Sequence, residues 1–246
     1  MIRCWILTFL LFLAELTGCS AGEQPNPAIH VAATLISSTN IQVNWKDTEP
    51  NVVGHIVEWS TAPQGNFVIL AFIWPELTSF IHPDLALQTR CCYRVRPYFG
   101  PVSNSVEITT GKALTPEEAK LVDTAWAQPQ IISNGTSDEK FSVRNLATAA
   151  KAAPTDLKAV LVHSTGVHFT WTNHSSDEEG YMLETKSGEE PGYHVCAIID
   201  PKINSYGYAL TPPETKVSFR VRAYYYGEPS NIAEKTTGPN PTNVQK

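Results

Sequence analysis

Thiols, imidazoles and clustered carboxylates are the side chains of this sequence that can do chemistry. They are Cys4, Cys19, Cys91, Cys92 and Cys196, the histidines His30, His55, His82, His163, His168, His174 and His194, and the acidic run Asp177, Glu178, Glu179. Their spacing matches no zinc motif and no HExxH helix, and the chain has no GxSxG turn or phosphate loop. The acidic run is typical of a solvated turn, since calcium needs further oxygen ligands at recognisable spacing. We therefore expect no catalytic residue, no metal site and no cofactor.

Three cysteines lie in the body of the chain. Cys91 and Cys92 are adjacent, and neighbours on a strand point to opposite faces. We favour Cys91 in the core and Cys92 outside it over a vicinal disulfide, although an oxidising compartment permits one. Cys196 lies in an apolar stretch and is expected to be a small buried side chain.

The N-terminus carries an export signal. Arg3 is followed by an apolar run from Trp5 to Ala14, which has the length of a signal-peptide core and is too short to span a bilayer. Cys19 stands shortly behind that run, in the stretch LTGC. The position of Cys19 relative to the apolar run indicates which modification its thiol is expected to carry.

The stretch LTGC resembles the lipobox of bacterial lipoproteins. The resemblance implies that residues 1–18 are removed and that the Cys19 thiol carries a diacylglyceryl group, which makes the membrane a partner through a lipid anchor. Ser20 is not the aspartate of an inner-membrane retention signal, so the outer membrane is the expected destination where a cell has two. The alternative is cleavage by the general signal peptidase after Ala21.

Composition and charge indicate a folded chain that does not bind nucleic acid. The 246 residues are 42% hydrophobic and 17% charged, and the net charge is -6. This length accommodates two domains of about 100 residues each. The basic residues are scattered, so no basic face is expected for nucleic acid.

An internal repeat organises the chain after the leader. NIQVNW (40–45) is matched by GVHFTW (166–171), and YRVRPYFG (93–100) by FRVRAYYYG (219–227). Equivalent positions such as Trp45 and Trp171 are separated by 126 residues. The repeat predicts two related units.

Hydrophobic residues alternate with period two in both units, which indicates short half-buried strands. About seven such strands per unit predict an antiparallel sandwich. The predicted fold class is therefore all-β: two tandem seven-stranded antiparallel β-sandwiches joined by a connector with a short helix. The predicted segments are a signal peptide (1–18), a first sandwich (26–111), a connector (112–152), a second sandwich (153–238) and a C-terminal tail (239–246).

The repeated segments resemble the fibronectin type III family. The resemblance rests on Trp45 and Trp171, on Leu85 and Leu210 before the sixth strand, on the sixth-strand segments themselves, and on the closing stretches SNSVEITTG and SNIAEKTTG. It implies an immunoglobulin-like sandwich for each unit. No RGD tripeptide is present, so the adhesion motif of some members does not transfer.

The connector contains one predicted helix. Thr115 suits the N-cap, Pro116 the first turn, and Glu117 and Glu118 the helix N-terminus, so we expect a helix over about 116–127. One face of it, including Trp126, should pack on a sandwich. The remainder is expected to act as an interdomain spacer.

Clustered aromatic residues are the remaining lead for binding. Tyr224, Tyr225 and Tyr226 lead into a Gly-Glu-Pro turn, and Tyr98 and Phe99 hold the matching place in the first unit. Exposed tyrosine-rich loops are typical of binding surfaces, which makes these five residues candidate binding-loop residues. The alternative is that they are strand residues that cover a sheet.

Two functions follow from these predictions. The first is a non-enzymatic, lipid-anchored cell-envelope protein that acts as a binding or spacer module, with a protein or glycan partner that the sequence does not identify. The second is an accessory component of a secreted polysaccharide-processing system, because domains that resemble these accompany carbohydrate-active enzymes.

Overall fold

Short antiparallel strands dominate the described part of the chain. A computed structural model describes residues 28–188, 190–209 and 213–239. The predicted signal peptide, Cys19, Leu210 and almost all of the tail lie outside these residues. About 51% of the chain is strand and 7% is helix, so the predicted all-β class is confirmed.

The first sandwich is built from the N-terminal repeat. Its first six strands are β1 (Ile29–Leu35), β2 (Ile41–Asp47), β3 (Gly54–Ser60), β4 (Val68–Ile73), β5 (Ser79–His82) and β6 (Arg90–Phe99). β1, β2 and β5 form one antiparallel sheet, and β4, β3 and β6 belong to the facing one. Ile41, Val43 and Trp45 alternate with more exposed neighbours along β2 and are buried in the core, as their period predicts.

The second sandwich repeats this plan. Its strands are β9 (Thr155–His163), β10 (Gly166–Ser175), β11 (Gly180–Ser187), β12 (His194–Ile199), β13 (Ser205–Tyr208) and β14 (Lys216–Tyr226). β9 and β13 flank β10 in one sheet, and β12, β11 and β14 belong to the other. Val167, Phe169 and Trp171 of β10 face the core, where Phe169 packs edge-on against Phe219.

The last strand of each repeat completes the other sandwich. β7 (Val106–Thr109) follows the first repeat but pairs with β14 of the second sandwich, antiparallel, with Val106 opposite Phe219. β15 (Ala233–Thr236) ends the second repeat but pairs with β6 of the first, with Ala233 opposite Tyr93. The order of the repeats places 106–109 with the first unit and 233–236 with the second, whereas the structure exchanges them.

The serine of each closing stretch fixes the incoming strand to the other sandwich. Ser230 N donates to Val95 O at 2.8 Å, and Val95 N donates to Ser230 Oγ at 2.9 Å. Ser103 makes the same pair of bonds with Val221, at 2.8 and 2.9 Å. The repeated SN segments therefore bind each closing strand to the other sandwich. The TTG segments do the same, since Thr237 N donates to Thr89 O and Thr110 N donates to Thr215 O.

The asparagine beside each serine is hydrogen-bonded to the first strand of the sandwich that the closing strand joins. We call each of these asparagine contacts a clip. Val31 N donates to Asn231 Oδ1 at 2.9 Å, and Asn231 Nδ2 donates to Val31 O at 3.0 Å. Asn104 bonds Leu157 in the same two ways, at 3.1 and 3.2 Å. Each amide thus saturates a backbone N–H and C=O that no strand reaches.

Alanine substitution of these asparagines is expected to loosen the sandwich that receives the clip. Asn231→Ala should raise hydrogen exchange of β1 at Val31, and Asn104→Ala should raise that of β9 at Leu157. Each should cost about 1 to 3 kcal/mol, because a part-buried backbone pair loses both partners. The two variants control for each other. If Asn231→Ala loosened β9 and left β1 unchanged, the exchange of strands would be contradicted.

The connector begins with a helix shorter than predicted. It covers Pro116–Leu121, and Thr115 is its N-cap as predicted. Thr115 and Glu118 form a capping box, because Glu118 N donates to Thr115 Oγ1 at 3.3 Å and Thr115 N donates to Glu118 Oε2 at 2.9 Å. It stops before the predicted 127 because Asp123 Oδ1 accepts a hydrogen bond from Ala125 N, which competes with helix continuation. Trp126 then packs against His163 of the second sandwich, as predicted for this face.

The remainder of the connector lies along the second sandwich. Short 3₁₀ turns cover Ala125–Ala127, Ser133–Gly135 and Ala149–Ala152, and β8 (Thr136–Phe141) pairs with the end of β10 in parallel. Asn204 holds the second turn, since Ile132 N donates to its Oδ1 at 2.6 Å. This part of the connector is therefore docked on the second sandwich.

Candidate functional site

The five aromatic residues predicted as binding-loop residues lie in a seam between the two sandwiches. β6 and β14 pair at their ends, with Tyr225 opposite Phe99 and Tyr226 opposite Tyr98. The rings of Phe99 and Tyr225 are stacked, with centroids 5.1 Å apart and planes 18° apart. Through this pair the larger sheet runs across both sandwiches, in the order β12, β11, β14, β6, β3, β4.

Both sides of the seam present the same residue positions. Ile56, Met182, Tyr98 and Tyr224 form a third buried cluster, and the members of each equivalent pair are 126 residues apart. Gly54 must be glycine, because a Cβ there would lie 2.3 Å from the Tyr98 hydroxyl oxygen. The seam is therefore a pseudo-two-fold contact within one chain.

This placement differs from the exposed loop that the sequence predicts. Tyr98, Phe99 and Tyr224 are at most 8% exposed, and Tyr225 and Tyr226 are partly exposed. Burial raises the pKa of Tyr98 to about 12, and it raises the pKa of Tyr224 and of Tyr226. The hydroxyls therefore stay protonated near neutrality, and the rings serve chiefly to hold the two sandwiches together.

A buried carboxylate flanks the seam on the side of the second sandwich. Glu184 of β11 accepts from Arg220 Nε and from Arg222 Nε, both at 2.5 Å. Arg222 also donates from Nη1 to Gly100 O at 2.6 Å, which ties β14 to the loop after β6. The guanidinium carbon of Arg220 lies 4.0 Å from the centre of the Tyr193 ring. These contacts hold both arginines in fixed positions.

The first sandwich carries the equivalent group with weaker pairing. Glu58 accepts from Arg94 Nε at 2.5 Å, while Arg96 Nε is 3.7 Å away. Arg94 lies over the ring of Phe67, with 4.3 Å between the guanidinium carbon and the ring centre. The scaffold of one glutamate, two arginines and one aromatic ring is therefore repeated across the seam.

A cleft of about 410 Å³ opens between the sandwiches beside Glu184. It is lined by Val52, Val53, Trp74, Pro75, Glu76, Pro191, Gly192, Tyr193, Arg220 and Arg222. Trp74 follows β4 and donates from Nε1 to Tyr193 O, just before β12, at 2.8 Å. The two sandwiches thus contribute facing walls, which we call the Trp74 cleft.

A second cavity of about 400 Å³ lies in the second sandwich, where β8 meets β10. Lys140, Lys202, Asn173, Ser175 and Glu178 are among its lining residues. Lys140 Nζ donates to Asn173 O at 2.8 Å, and Glu178 Oε1 accepts from Lys202 N at 3.0 Å. Much of its polar lining is therefore already paired within the chain.

The three cysteines among the described residues are free thiols; Cys91 and Cys92 are buried, whereas Cys196, which was expected to be buried, is only partly buried. Cys91 lies in the core as expected, but Cys92 is also fully buried, unlike the exposed position predicted for it. The reason is that β6 is a central strand, with Ser60 of β3 and Glu234 of β15 opposite Cys92. Burial raises the pKa of Cys92 and raises that of Cys196 to about 12. These thiols are therefore poor nucleophiles.

The described residues contain few groups that are placed for catalysis. Nowhere in the described ranges do three or more His, Cys, Asp or Glu side chains gather as a metal site. His168 Nε2 lies 3.0 Å from Ser205 Oγ, but Ser205 is only 2% exposed, so this hydroxyl does not meet a substrate. Among the same residues no helix has the length and apolar character needed to cross a membrane.

The chain is an all-β protein of two antiparallel sandwiches, and comparison with known proteins finds similarity to solved structures only. No family model and no curated protein matches it. It is similar to the FN1-FN3 domains of chicken CNTN1, at 16% identity and a TM-score of 0.27 over 87% of this chain and 67% of that one. It is also similar to a segment of two fibronectin type III domains from chicken tenascin, at 12% identity and a TM-score of 0.26 over 84% and 97% of the two chains. A fibronectin domain of human collagen XX covers 31% of this chain, at 17% identity and a TM-score of 0.27.

Proposed function

We propose that this chain is a non-enzymatic, lipid-anchored protein of the bacterial cell envelope that acts as a binding or spacer module through two fibronectin type III-like domains. Cys19 is its attachment point, and the outer membrane is the destination where a cell has two. The observation that carries the proposal is the position of Cys19, in LTGC, directly behind the apolar export segment.

The chemistry of acylation explains why one cysteine is sufficient as an anchor. Each buried methylene contributes about 0.8 kcal/mol, so a single acyl chain binds marginally and two or more chains hold a protein stably. A diacylglyceryl group on one thiol supplies two chains. The chain behind it then works at a membrane surface without spanning the membrane.

The joined sandwiches support the role of binding module or spacer. Strand exchange and the shared sheet hold the Trp74 cleft between two walls that come from different sandwiches. The lining presents Trp74, Tyr193 and two arginines, which are residue types enriched in binding sites. A tethered protein with this architecture presents a preformed cleft to the envelope.

Cys19→Ala tests the anchor directly. The substitution should move the protein from the membrane fraction to the soluble fraction, and mass spectrometry of the wild-type N-terminus should find an acylated Cys19. Cys4→Ala is the matched control, because Cys4 lies in the segment that is removed, and this variant should stay acylated. An unmodified N-terminus at Gly22 would refute lipidation.

An accessory role in polysaccharide processing is the second candidate. It is favoured by the aromatic residues Trp74 and Tyr193 in the cleft, since flat rings pack against sugar rings. Capture experiments with envelope glycans and with envelope proteins separate the two roles. Binding that requires glycan favours the second candidate. Reproducible hydrolase activity of the purified chain would contradict the non-enzymatic part of both.

A further inference from the structure

The pseudo-two-fold symmetry of the seam relates the Trp74 cleft to an equivalent region on its other side, which we call the counterpart side. Equivalent positions of the cleft and of the counterpart side carry different residues. A shift of 126 positions relates Val53 to Glu179 and Trp74 to Asp200. The repeated scaffold of one glutamate and two arginines therefore faces apolar and aromatic residues on the cleft side and carboxylates on the other.

The counterpart side carries two carboxylates, Glu179 and Asp200, at these positions. Glu179 and Asp200 both help to raise the pKa of Tyr224, after the larger effect of burial, so both carboxylates act near the seam there. Glu179 is itself paired, because Arg144 Nη2 donates to its Oε1 at 2.5 Å. The counterpart side is therefore acidic, whereas the lining of the Trp74 cleft at the same positions is apolar and aromatic.

The two arginines beside the cleft have one buried carboxylate partner among the described residues. Arg220 and Arg222 share the single buried carboxylate of Glu184, and the one other acid that lines the cleft, Glu76, is exposed. Water screens an exposed carboxylate, so Glu76 neutralises little of the charge of the arginines. The cleft therefore offers both space and positive charge for an external carboxylate beside Arg220.

Arg220 has the donors for such a ligand. Its Nε is bonded to Glu184, and its guanidinium lies over Tyr193, which together fix the plane of the group. Among the described residues, none accepts a hydrogen bond from its Nη1 or Nη2. Two neighbouring guanidinium donors bind a carboxylate with charge-assisted hydrogen bonds.

The other lining residues define the body of the ligand. Trp74, Pro75, Pro191 and the two valines present apolar surface on both walls. A volume of about 410 Å³ is at the small end of the range for small-molecule sites. A small ring with one carboxylate matches both the volume and the mixed lining.

We propose that the Trp74 cleft binds a small ring-shaped carboxylate, with the carboxylate on Arg220 and the ring against Trp74. This deepens the binding role proposed above and does not depend on the lipid anchor. A uronic acid unit of a polysaccharide and a free aromatic acid share this chemistry. The experiment below tells the two sources apart.

Titration calorimetry of the purified full chain tests the cleft with two matched pairs of probes. Sodium D-glucuronate is compared with D-glucose, and sodium benzoate with benzyl alcohol. At least one carboxylate should bind about tenfold more tightly than its neutral partner, because only the carboxylate forms charge-assisted hydrogen bonds with Arg220. Preference for glucuronate assigns a saccharide ligand, and preference for benzoate assigns an aromatic acid. If neither carboxylate is preferred to its neutral partner, the proposal fails.

Variants locate the binding. Arg220→Gln should weaken binding of the preferred carboxylate about tenfold or more, whereas Arg94→Gln breaks the equivalent pair in the first sandwich and should leave binding unchanged. Val53→Glu gives the cleft the acid that Glu179 supplies on the other side, and it should abolish binding without breaking a buried pair. Equal losses from Arg220→Gln and Arg94→Gln, or full binding by Val53→Glu, would overturn the assignment. If no carboxylate bound but Cys19 were acylated, the cleft proposal would fail and the anchoring proposal would still hold.

Discussion

Truncation of the chain after Gly227 is expected to unfold the first sandwich, although the deleted residues belong to the second repeat. The deletion removes β15, which pairs with β6 of the first sandwich, together with Asn231, which clips β1. Hydrogen exchange should become fast in β1 to β6 and stay slow in β10, β11 and β14.

The size of this effect follows from what the missing segment supplies. It contributes the ladder with β6, the bonds of Ser230 and Asn231, and those of Thr237 with Thr89 at 2.7 and 3.0 Å. At about 0.5 to 1.5 kcal/mol for each hydrogen bond, the sum approaches the whole stability of a typical domain, about 5 to 15 kcal/mol. Burial of Ala233 in the first core adds to it.

The control truncation ends the chain at residue 239, which keeps β15 and its clips. This variant should retain the melting temperature of the full chain. If the truncation after Gly227 instead opened β14 and spared β6, each closing strand would belong to its own repeat and the exchange would be disproved.

Glu184→Ala is expected to destabilise the protein by about 3 to 5 kcal/mol, since it leaves a buried arginine without its carboxylate. The side chains of Glu184 and Arg222 are 4% and 7% exposed. Denaturant unfolding at neutral pH should report a lower midpoint with a similar slope.

The pseudo-symmetry of the chain supplies the comparison for this variant. Glu58→Ala removes the equivalent carboxylate, but Arg94 and Arg96 are 25% and 23% exposed and regain water. Its cost should be clearly smaller than that of Glu184→Ala. Glu107→Ala breaks the exposed pair with Lys216 and should change the stability little. Equal losses for Glu184→Ala and Glu58→Ala would show that burial of the pair does not set its energy.

The sandwiches were predictable because alternation is a local property. Ile41, Val43 and Trp45 signal a half-buried strand from their own spacing, and the repeat of that spacing at 166–171 signals the second sandwich. The helix start was equally local, since Thr115 and Glu118 carry the whole capping box.

The exchange of strands was not predictable, because the two closing stretches are nearly the same. Ser103 and Ser230 make equivalent bonds, and the residues to which they are bonded, Val221 and Val95, are themselves equivalent. Because β6 and β14 offer equivalent partners to both closing strands, the sequence alone does not indicate which of them each closing strand joins. Only the path of the chain between the sandwiches decides it.

The seam and the cleft depend on contacts between distant residues. Tyr98 and Tyr224 look like residues of an exposed loop until the second sandwich covers them. Trp74 lies outside the alternating pattern of β4, and its partner Tyr193 is 119 positions away. The signal that was available is the difference between repeats, where Trp74 and Val53 replace the acids Asp200 and Glu179.

The exchange of the closing strands also determines the order in which the two sandwiches can complete their folding. Arg90 of β6 and Glu234 of β15 form an ion pair although they are 144 positions apart. The first sandwich, whose strands are synthesised first, is therefore completed only when almost the whole chain has been made. Contacts of such long sequence separation slow folding and leave an open sheet edge in the interim. During synthesis the first sandwich is thus an incomplete intermediate, and we expect the unfinished chain to be more prone to aggregation than the finished one.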